Sequence, residues 1–327
     1  MQIKVPEYFS EFKCIANKCI DSCCIGWEIV IDDATRTKYK HLDSDIGREI
    51  ADKTQHGCFH LDENGRCAFL DTDGLCRIIS GLGEGYLCDI CREHPRYYGT
   101  SKCGIEGGLG LGCEEAARII LSLKALPRFT TVGRDVHYFD EDSFGDVSEH
   151  FRNNLYEGIF NLDVCTLIGK YIACATAADE VAFEVCTAEK RVPIPKVTYA
   201  QADENEIKRI SDSLLPLLLE CEALTDDWRD IVEKAGKVCV SDVLRHEEMI
   251  RSLLFYFTHR YVREGVEDMT LGARIMFSTA CALSVTAICE IIEDSEPEVR
   301  AAVLFSKNIE YSTENVDMIL DRLCDIL

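Results

Sequence analysis

The apolar positions of this 327-residue chain change rhythm about a third of the way along. Before residue 125 they come in short pieces. Ile29-Val30-Ile31 reads as a brief β-run, and Asp32-Asp33 then caps a helix carrying Tyr39 and Leu42. From Gly57 to Cys113 the apolar stretches are broken by Gly57, Gly65, Gly74, Gly81, Gly83, Gly85 and Gly99, the pattern of a loop-rich fold held by metal rather than by a large core. Residues 1–13 bring Tyr8, Phe9 and Phe12 up to the first cysteine, which suggests a lid over whatever the cysteines hold. Gly107-Gly-Leu-Gly-Leu-Gly112 reads as a flexible or closely packed strand leading to Cys113, and Glu114 to Lys124 then has the acidic first turn and basic last turn of a helix.

Past residue 125 helical spacing takes over. Leu126-Pro127 ends the preceding helix, and a polar, aromatic and acidic connector runs to about Phe144. Helices are predicted over 146–162, 163–188, 204–222, 225–236, 241–264, 270–292 and 296–306, with a last one running from Ser312-Thr-Glu-Asn315 to Leu327. Val192-Pro-Ile-Pro195 marks a linker or sharp turn. The fold class is therefore mainly α: a loop-rich cysteine and metal domain over 1–125, then an all-α helical bundle over 126–327 that offers a substrate surface.

Composition narrows this. An apolar content of 47% is that of a globular chain. Ile275 to Ile292 is the longest apolar run, but Ser278, Thr279, Ser284, Thr286 and Glu290 interrupt it, so a buried bundle helix is expected rather than a membrane span. No leader-like pattern opens the sequence, and a cytoplasmic, reducing setting is expected. Net charge is −23, with 15 basic and 20 acidic residues over 1–125 and 20 and 38 over 126–327. Such a surface repels nucleic acid and attracts a basic, lysine-bearing protein; it also serves plain solubility.

The 19 cysteines carry the chemistry. In a reducing compartment they read as ligands and buried thiols rather than disulfides. Cys14, Cys19, Cys23 and Cys24 fall within eleven residues, and Cys58, Cys67, Cys76, Cys88, Cys91, Cys103 and Cys113 follow, enough for two four-thiolate sites. Cys88-Asp-Ile-Cys91 has the two-residue gap by which one turn presents two sulfurs to the same metal. Cys113 sits at a helix N-terminus, which stabilises a thiolate. Either zinc or an iron–sulfur cluster fits. Cys165, Cys174, Cys186, Cys221, Cys239, Cys281, Cys289 and Cys324 are spread over apolar helix faces and are expected in the core.

Within Cys91-Arg-Glu-His-Pro-Arg96, Arg92 and Arg96 are candidates to pair with a cofactor carboxylate or to offset thiolate charge, and His94 sits in a polar turn leaving the site. His60 is a weaker ligand candidate beside Cys58, and His137, His246 and His259 lie in ordinary contexts. The glycine run fits no Gly-x-Gly-x-x-Gly register, and no serine-nucleophile elbow, P-loop, His-Glu-x-x-His helix or three-cysteine radical loop is present.

Phe12-Lys-Cys14, Cys19, Asp21-Ser-Cys-Cys-Ile-Gly-Trp27, Cys67-Ala-Phe-Leu70, Asp73-Gly-Leu-Cys76, Leu87-Cys-Asp-Ile-Cys91 with Pro95-Arg96, and Cys113-Glu-Glu-Ala-Ala-Arg118 together resemble the flagellin lysine-N-methylase family, among the cysteine-rich proteins described as zinc- or iron-chelating. The likeness is specific over residues 1 to about 125 and diffuse beyond. Gly112-Cys-Glu-Glu115 stands where the family usually has Ser-Cys-Pro-Glu, and Cys67-Ala-Phe-Leu70 where it has Cys-Pro-Phe-Leu; the sulfurs keep their places. The resemblance implies methylation of surface lysines of flagellin, with S-adenosylmethionine as donor and an iron–sulfur cluster, of the 4Fe-4S kind, needed for activity. A carboxylate or a phenol such as Tyr97 or Tyr98 would accept the amine proton. Against this stand two other readings, a zinc-stabilised protein-binding module and an iron–sulfur electron-transfer or redox-sensing protein.

Overall fold

The computed structural model describes residues 2–101, 104–133, 143–188, 193–263, 265, 266 and 268–324; Cys103, His137 and Val192 lie outside these. It is mainly α, 57% helical with 11% strand. Six strands are described: β1 Gln2–Pro6, β2 Thr54–Gln55, β3 Cys58–Phe59, β4 Arg96–Ser101, β5 Gly104–Leu109 and β6 Phe129–Gly133. β2 and β3 form a small hairpin, and the rest make one sheet in the order β4-β5-β1-β6. β1 runs parallel to β5, with Ile3 beside Ile105, and antiparallel to β6, with Ile3 beside Val132 and Val5 beside Thr130.

This sheet corrects two expectations. The part of the 126–144 connector that is described holds β6, whose Phe129 and Val132 pack on the core while Thr130 and Thr131 face out. Tyr8, Phe9 and Phe12 are not a lid: they are 4%, 7% and 8% exposed and belong to the large core that runs through the bundle. One turn after β1 carries them straight beneath the sheet, where burying three aromatic rings outweighs any gain from leaving them over a site. The run 29–31 is extended but is held only by a bridge from Val30 to Cys58.

In the first third the helices are short: α1 Asp33–Lys40, α2 Asp45–Asp52, α3 Arg77–Leu82, α4 Asp89–Glu93 and α5 Glu114–Leu121. Asp32 caps α1 by accepting from the Thr35 amide at 2.8 Å. The rest is long: α6 Ser143–Ile159, α7 Val164–Ala188, α8 Glu204–Glu220, α9 Trp228–Ala235, α10 Val240–Val243, α11 Glu247–Tyr261, α12 Leu271–Cys289, α13 Pro297–Phe305 and α14 Thr313–Cys324. The helix predicted over 241–264 is broken before Glu247-Glu248, an acid pair that suits a new N-terminus. α13 runs on into one π-helical turn, Ser306–Glu310, a device often found where side chains must be re-aimed.

α12 is long and apolar enough to cross a membrane, yet 94% of its apolar window is buried against its neighbours, so it is the bundle's central helix. A second, small core gathers Ile29, Ile31, Tyr39, Ile50, Phe59, Phe69 and Ile78 around Cys67 and Cys88. Of the bundle cysteines, Cys174, Cys221, Cys281 and Cys289 are buried and Cys165 is half-buried, but Cys186, Cys239 and Cys324 are exposed, against expectation. They sit near helix ends, where the apolar stripe runs out.

Candidate functional site

The N-terminal thiols form two neighbourhoods. Cys19 lies close enough to Cys14 and Cys113 to feel their charge, and Cys23 faces the same pair. Cys67 faces Cys24, Cys76 and Cys88, while Cys91 faces Cys88, Cys24 and Cys23. The adjacent Cys23 and Cys24, hydrogen-bonded to each other, thus join the two groups, Cys14/Cys19/Cys23/Cys113 and Cys24/Cys67/Cys76/Cys88/Cys91. Within neither group do three sulfurs close to within 4.8 Å of one another among the described residues, whereas a tetrahedral zinc ion would hold its sulfurs about 3.8 Å apart.

Backbone amides already point at these sulfurs. The Ala16 amide donates to Cys14 Sγ at 3.4 Å, and the amides of Phe69, Ile78, Ile79, Cys91, Glu115 and Ala116 lie near enough to Cys67, Cys76, Cys88 and Cys113 to favour their thiolates without forming a capping hydrogen bond. Cys76, Cys88 and Cys113 occupy the N-caps of α3, α4 and α5, so the nearby amides are those two or three residues on. Burial works against ionisation all the same. It pushes Cys19 up to about 12 and Cys67 up to about 11, and raises Cys76 and Cys113. Hydrogen bonding within Cys23–Cys24 lowers Cys24 to about 7 at the expense of Cys23, and Cys88 is lowered at the expense of Cys91 in the same way. Buried thiols that cannot all ionise alone, yet have amides aimed at them, are a donor set that a positive metal centre completes.

The first group is fastened to the bundle. Asp21, between Cys19 and Cys23, accepts from Lys307 Nζ at 2.5 Å and from Arg300 Nη1 at 2.7 Å, and its own amide donates to Glu114 at 2.6 Å. Lys307 reaches Asp21 from the π-helical turn. Glu310, at the end of the same turn, is buried among the Tyr256 and Tyr261 hydroxyls, at 2.9 and 2.8 Å, and Arg260 at 3.3 Å.

Next to this group opens a cleft of about 800 Å³. Trp27 and His94 line one side, Tyr97 and Gly112 its floor, and Arg260, Lys307, Asn308 and Tyr311 the bundle side, with Glu28, Glu222 and Glu314 also on the lining. The Trp27 indole donates to Cys23 O at 2.7 Å and packs 5.7 Å from the Tyr311 ring, and Tyr311 is a close neighbour of Cys23 and Cys113. Here the glycine run finds its reason: a Cβ at Gly112 would strike Tyr311, and one at Gly108 would strike the Tyr97 ring.

The predicted residues are distributed unevenly over this architecture. Arg96 lines the cleft with its guanidinium over the Phe9 and Phe12 rings, at 5.4 and 5.3 Å. Arg92 is exposed and paired with Asp89 and Glu93. His94 lies in the turn between α4 and β4, as expected, but on the cleft lining. Its Nε2 is buried without a hydrogen-bond partner among the described residues, and burial, with Lys307 nearby, lowers it to about 4. Tyr97 is in the cleft, while Tyr98 is exposed and donates to Glu93 at 2.9 Å. Cys58 and His60 line a separate hollow near the β2–β3 hairpin. Trp27, Arg260, Lys307 and Tyr311 were missed as functional residues, because only the fold brings the 256–311 helices against residue 27; the Ser-Cys-Cys-Ile-Gly-Trp27 motif was the one signal that could have found Trp27.

Comparison with known proteins gives the family. Over 130 residues, 36% of this chain and 75% of the relative, the chain is 32% identical to the flagellar biosynthetic protein FliU of Salmonella muenchen. It is also 32% identical over 130 residues to proteins named lysine-N-methylase from Salmonella typhimurium (strain LT2) and Salmonella choleraesuis (strain SC-B67), spanning 32% of their length. No family model and no solved structure matches. With three quarters of FliU covered at that identity and the cysteine motifs gathered into two thiol groups, the chain belongs to the flagellin lysine-N-methylase family.

Proposed function

We propose that this protein transfers a methyl group from S-adenosylmethionine to lysine ε-amines of flagellin, or of a similar lysine-bearing protein, at the cleft beside the first thiol group. One observation carries the reading: an aromatic-walled cleft of about 800 Å³ adjoins Cys23 and Cys113 through Trp27 and Tyr311. The relatives named lysine-N-methylase supply the reaction class.

Three of Cys14, Cys19, Cys23 and Cys113 would hold a 4Fe-4S cluster and leave one iron open, and the wider Cys24 group would hold a second centre. When bound, such a cluster offers a Lewis-acidic iron to the amino and carboxylate groups of the donor's methionine end. The chain does the rest. Trp27 and Tyr311 line the cleft with aromatic rings suited to a sulfonium or an ammonium, while the Tyr97 ring already carries the Arg260 guanidinium at 4.5 Å. In the transfer the amine lone pair attacks the methyl carbon, a C–N bond forms, the C–S bond breaks with its pair returning to sulfur, and the amine proton leaves toward the cleft carboxylates Glu28, Glu222 and Glu314. The acidic bundle draws a lysine-bearing partner toward this face.

The test is anaerobic purification with iron, sulfide and zinc analysis, followed by flagellin and methyl-labelled S-adenosylmethionine. Iron with sulfide, and labelled flagellin lysines, are expected; Trp27→Ala should retain its iron and lose at least tenfold in transfer. Zinc without sulfide would replace this reading by a zinc-stabilised binding protein. Cluster reduction and reoxidation without methyl transfer would replace it by an electron-transfer or redox-sensing role.

A further inference from the structure

Away from the N-terminal thiols, three helix ends meet around a different donor set. His246 precedes α11, Cys289 ends α12, and Glu298 lies in the first turn of α13. A ring nitrogen of His246, Sγ of Cys289 and a carboxylate oxygen of Glu298 all lie within 4.8 Å of one another. Glu290 hydrogen-bonds His246 Nε2. We propose that His246, Cys289 and Glu298 bind a zinc-like divalent cation, with Glu290 orienting the imidazole.

Cys289 alone would be an ordinary core thiol, 4% exposed. Packing does not explain why an imidazole and a carboxylate from two other elements should converge on it. Nitrogen, sulfur and oxygen together are the donors that zinc accepts, whereas magnesium and calcium take oxygen alone. A ring whose Nε2–H is donated to a carboxylate keeps its lone pair on Nδ1, the neutral form that ligates, and such an outer carboxylate is the usual companion of a metal-bound histidine. A cavity of about 740 Å³ provides access, lined by Glu247, Glu248, Glu296 and Glu298 as well as His246. Arg118 pairs with Glu296 at 2.6 Å, Arg245 with Asp242 at 3.0 Å and Glu290 at 3.6 Å, and Glu247 and Glu248 pair with Arg251 and Lys124. Glu298 is thus the lining carboxylate with no ion pair among the described residues and is left for a cation.

The site also has a structural role. Glu298 shares α13 with Arg300, and Lys307 follows in the π-helical turn; both hold Asp21 in the cysteine loop. A cation joining α11, α12 and α13 would fix the helix from which that loop is clamped.

The test loads the full-length protein with cadmium-113 and records its NMR spectrum, in which ligation by one sulfur is resolved from the sulfur-rich N-terminal groups. A one-sulfur resonance is expected in the parent and absent in Cys289→Ser and His246→Gln, with the sulfur-rich signals unchanged. Glu298→Gln replaces a ligand without opening the core, so it keeps the test decisive if the other two variants misfold; it too should abolish the resonance. Glu290→Gln should weaken the site about 10- to 100-fold. Absence of a one-sulfur resonance in the parent, or its survival in Glu298→Gln, overturns the proposal.

Discussion

In the small core around Ile29, Phe59 and Phe69, thiols occupy places that phenylalanine, leucine and isoleucine fill in the bundle. The bundle closes on itself: α12 is buried almost throughout, and Phe257, Phe277 and Phe305 pack edge to face, with ring centroids 6.3 and 5.9 Å from Phe257. The small core has few large side chains, helices of five to eight residues, and sulfurs from five cysteines, Cys67 and Cys88 within it and Cys24, Cys76 and Cys91 at its edge. One region is stabilised by apolar area and the other needs something to draw its loops together.

Stripping metal from the reduced protein should break this comparison most visibly. Hydrogen exchange at the Phe59 and Phe69 amides is expected to accelerate more than about 100-fold, because a binding free energy on the order of 10 kcal/mol is withdrawn from that region, while the α12 amides keep their protection. Cys91→Ser should reproduce the effect. Equal loss of protection in both regions would show that the small core has no separate dependence on metal.

The two regions were also unequally legible. The helices of the bundle follow from 3.6-residue spacing, and their boundaries held to within a few residues except where 241–264 splits. The N-terminal cysteines were visible as residues but not as groups, since which sulfurs Cys23 and Cys24 meet depends on which strand or helix cap returns to each. β1 and β6 were not read at all. Each is five residues long, and pairing partners more than 120 residues apart leave no local signature. The cleft was beyond reach for the same reason: Trp27 and Tyr311 acquire meaning only when the π-helical turn meets the cysteine loop.

Acid should sharpen the contrast from the bundle's side. His259 is buried, with its Nε2 at 3.0 Å from Gly107 O and Nδ1 at 3.2 Å from the Tyr156 hydroxyl; Arg152, Glu106 and Arg263 are the charges that face it. Burial first, then Arg152, lowers it to about 4. In the unfolded chain it takes up a proton near pH 6.5, whereas the folded form refuses one until about 4. The unfolded state therefore binds more protons in that window, and stability falls as pH drops through it, by on the order of 3 kcal/mol. Melting followed through the buried Trp228 should show this loss in the parent and a shallower slope in His259→Gln. Identical slopes would mean that His259 is not held neutral.

The smallest effect isolates cysteine itself. Cys281 is fully buried in the middle of α12, where its sulfur acts as a small apolar group, so Cys281→Ala should lower stability by on the order of 1 kcal/mol and leave metal content untouched. Cys239 is exposed at the N-cap of α10, where a serine hydroxyl serves the helix at least as well, and Cys239→Ser should change stability by less than about 0.5 kcal/mol. Denaturant midpoints and metal analysis on the same two samples decide the matter. Loss of metal from Cys281→Ala would place a ligand at the centre of the bundle and erase the distinction between its thiols and those of the small core. A large shift in Cys239→Ser would give a role to a sulfur that the fold leaves in solvent.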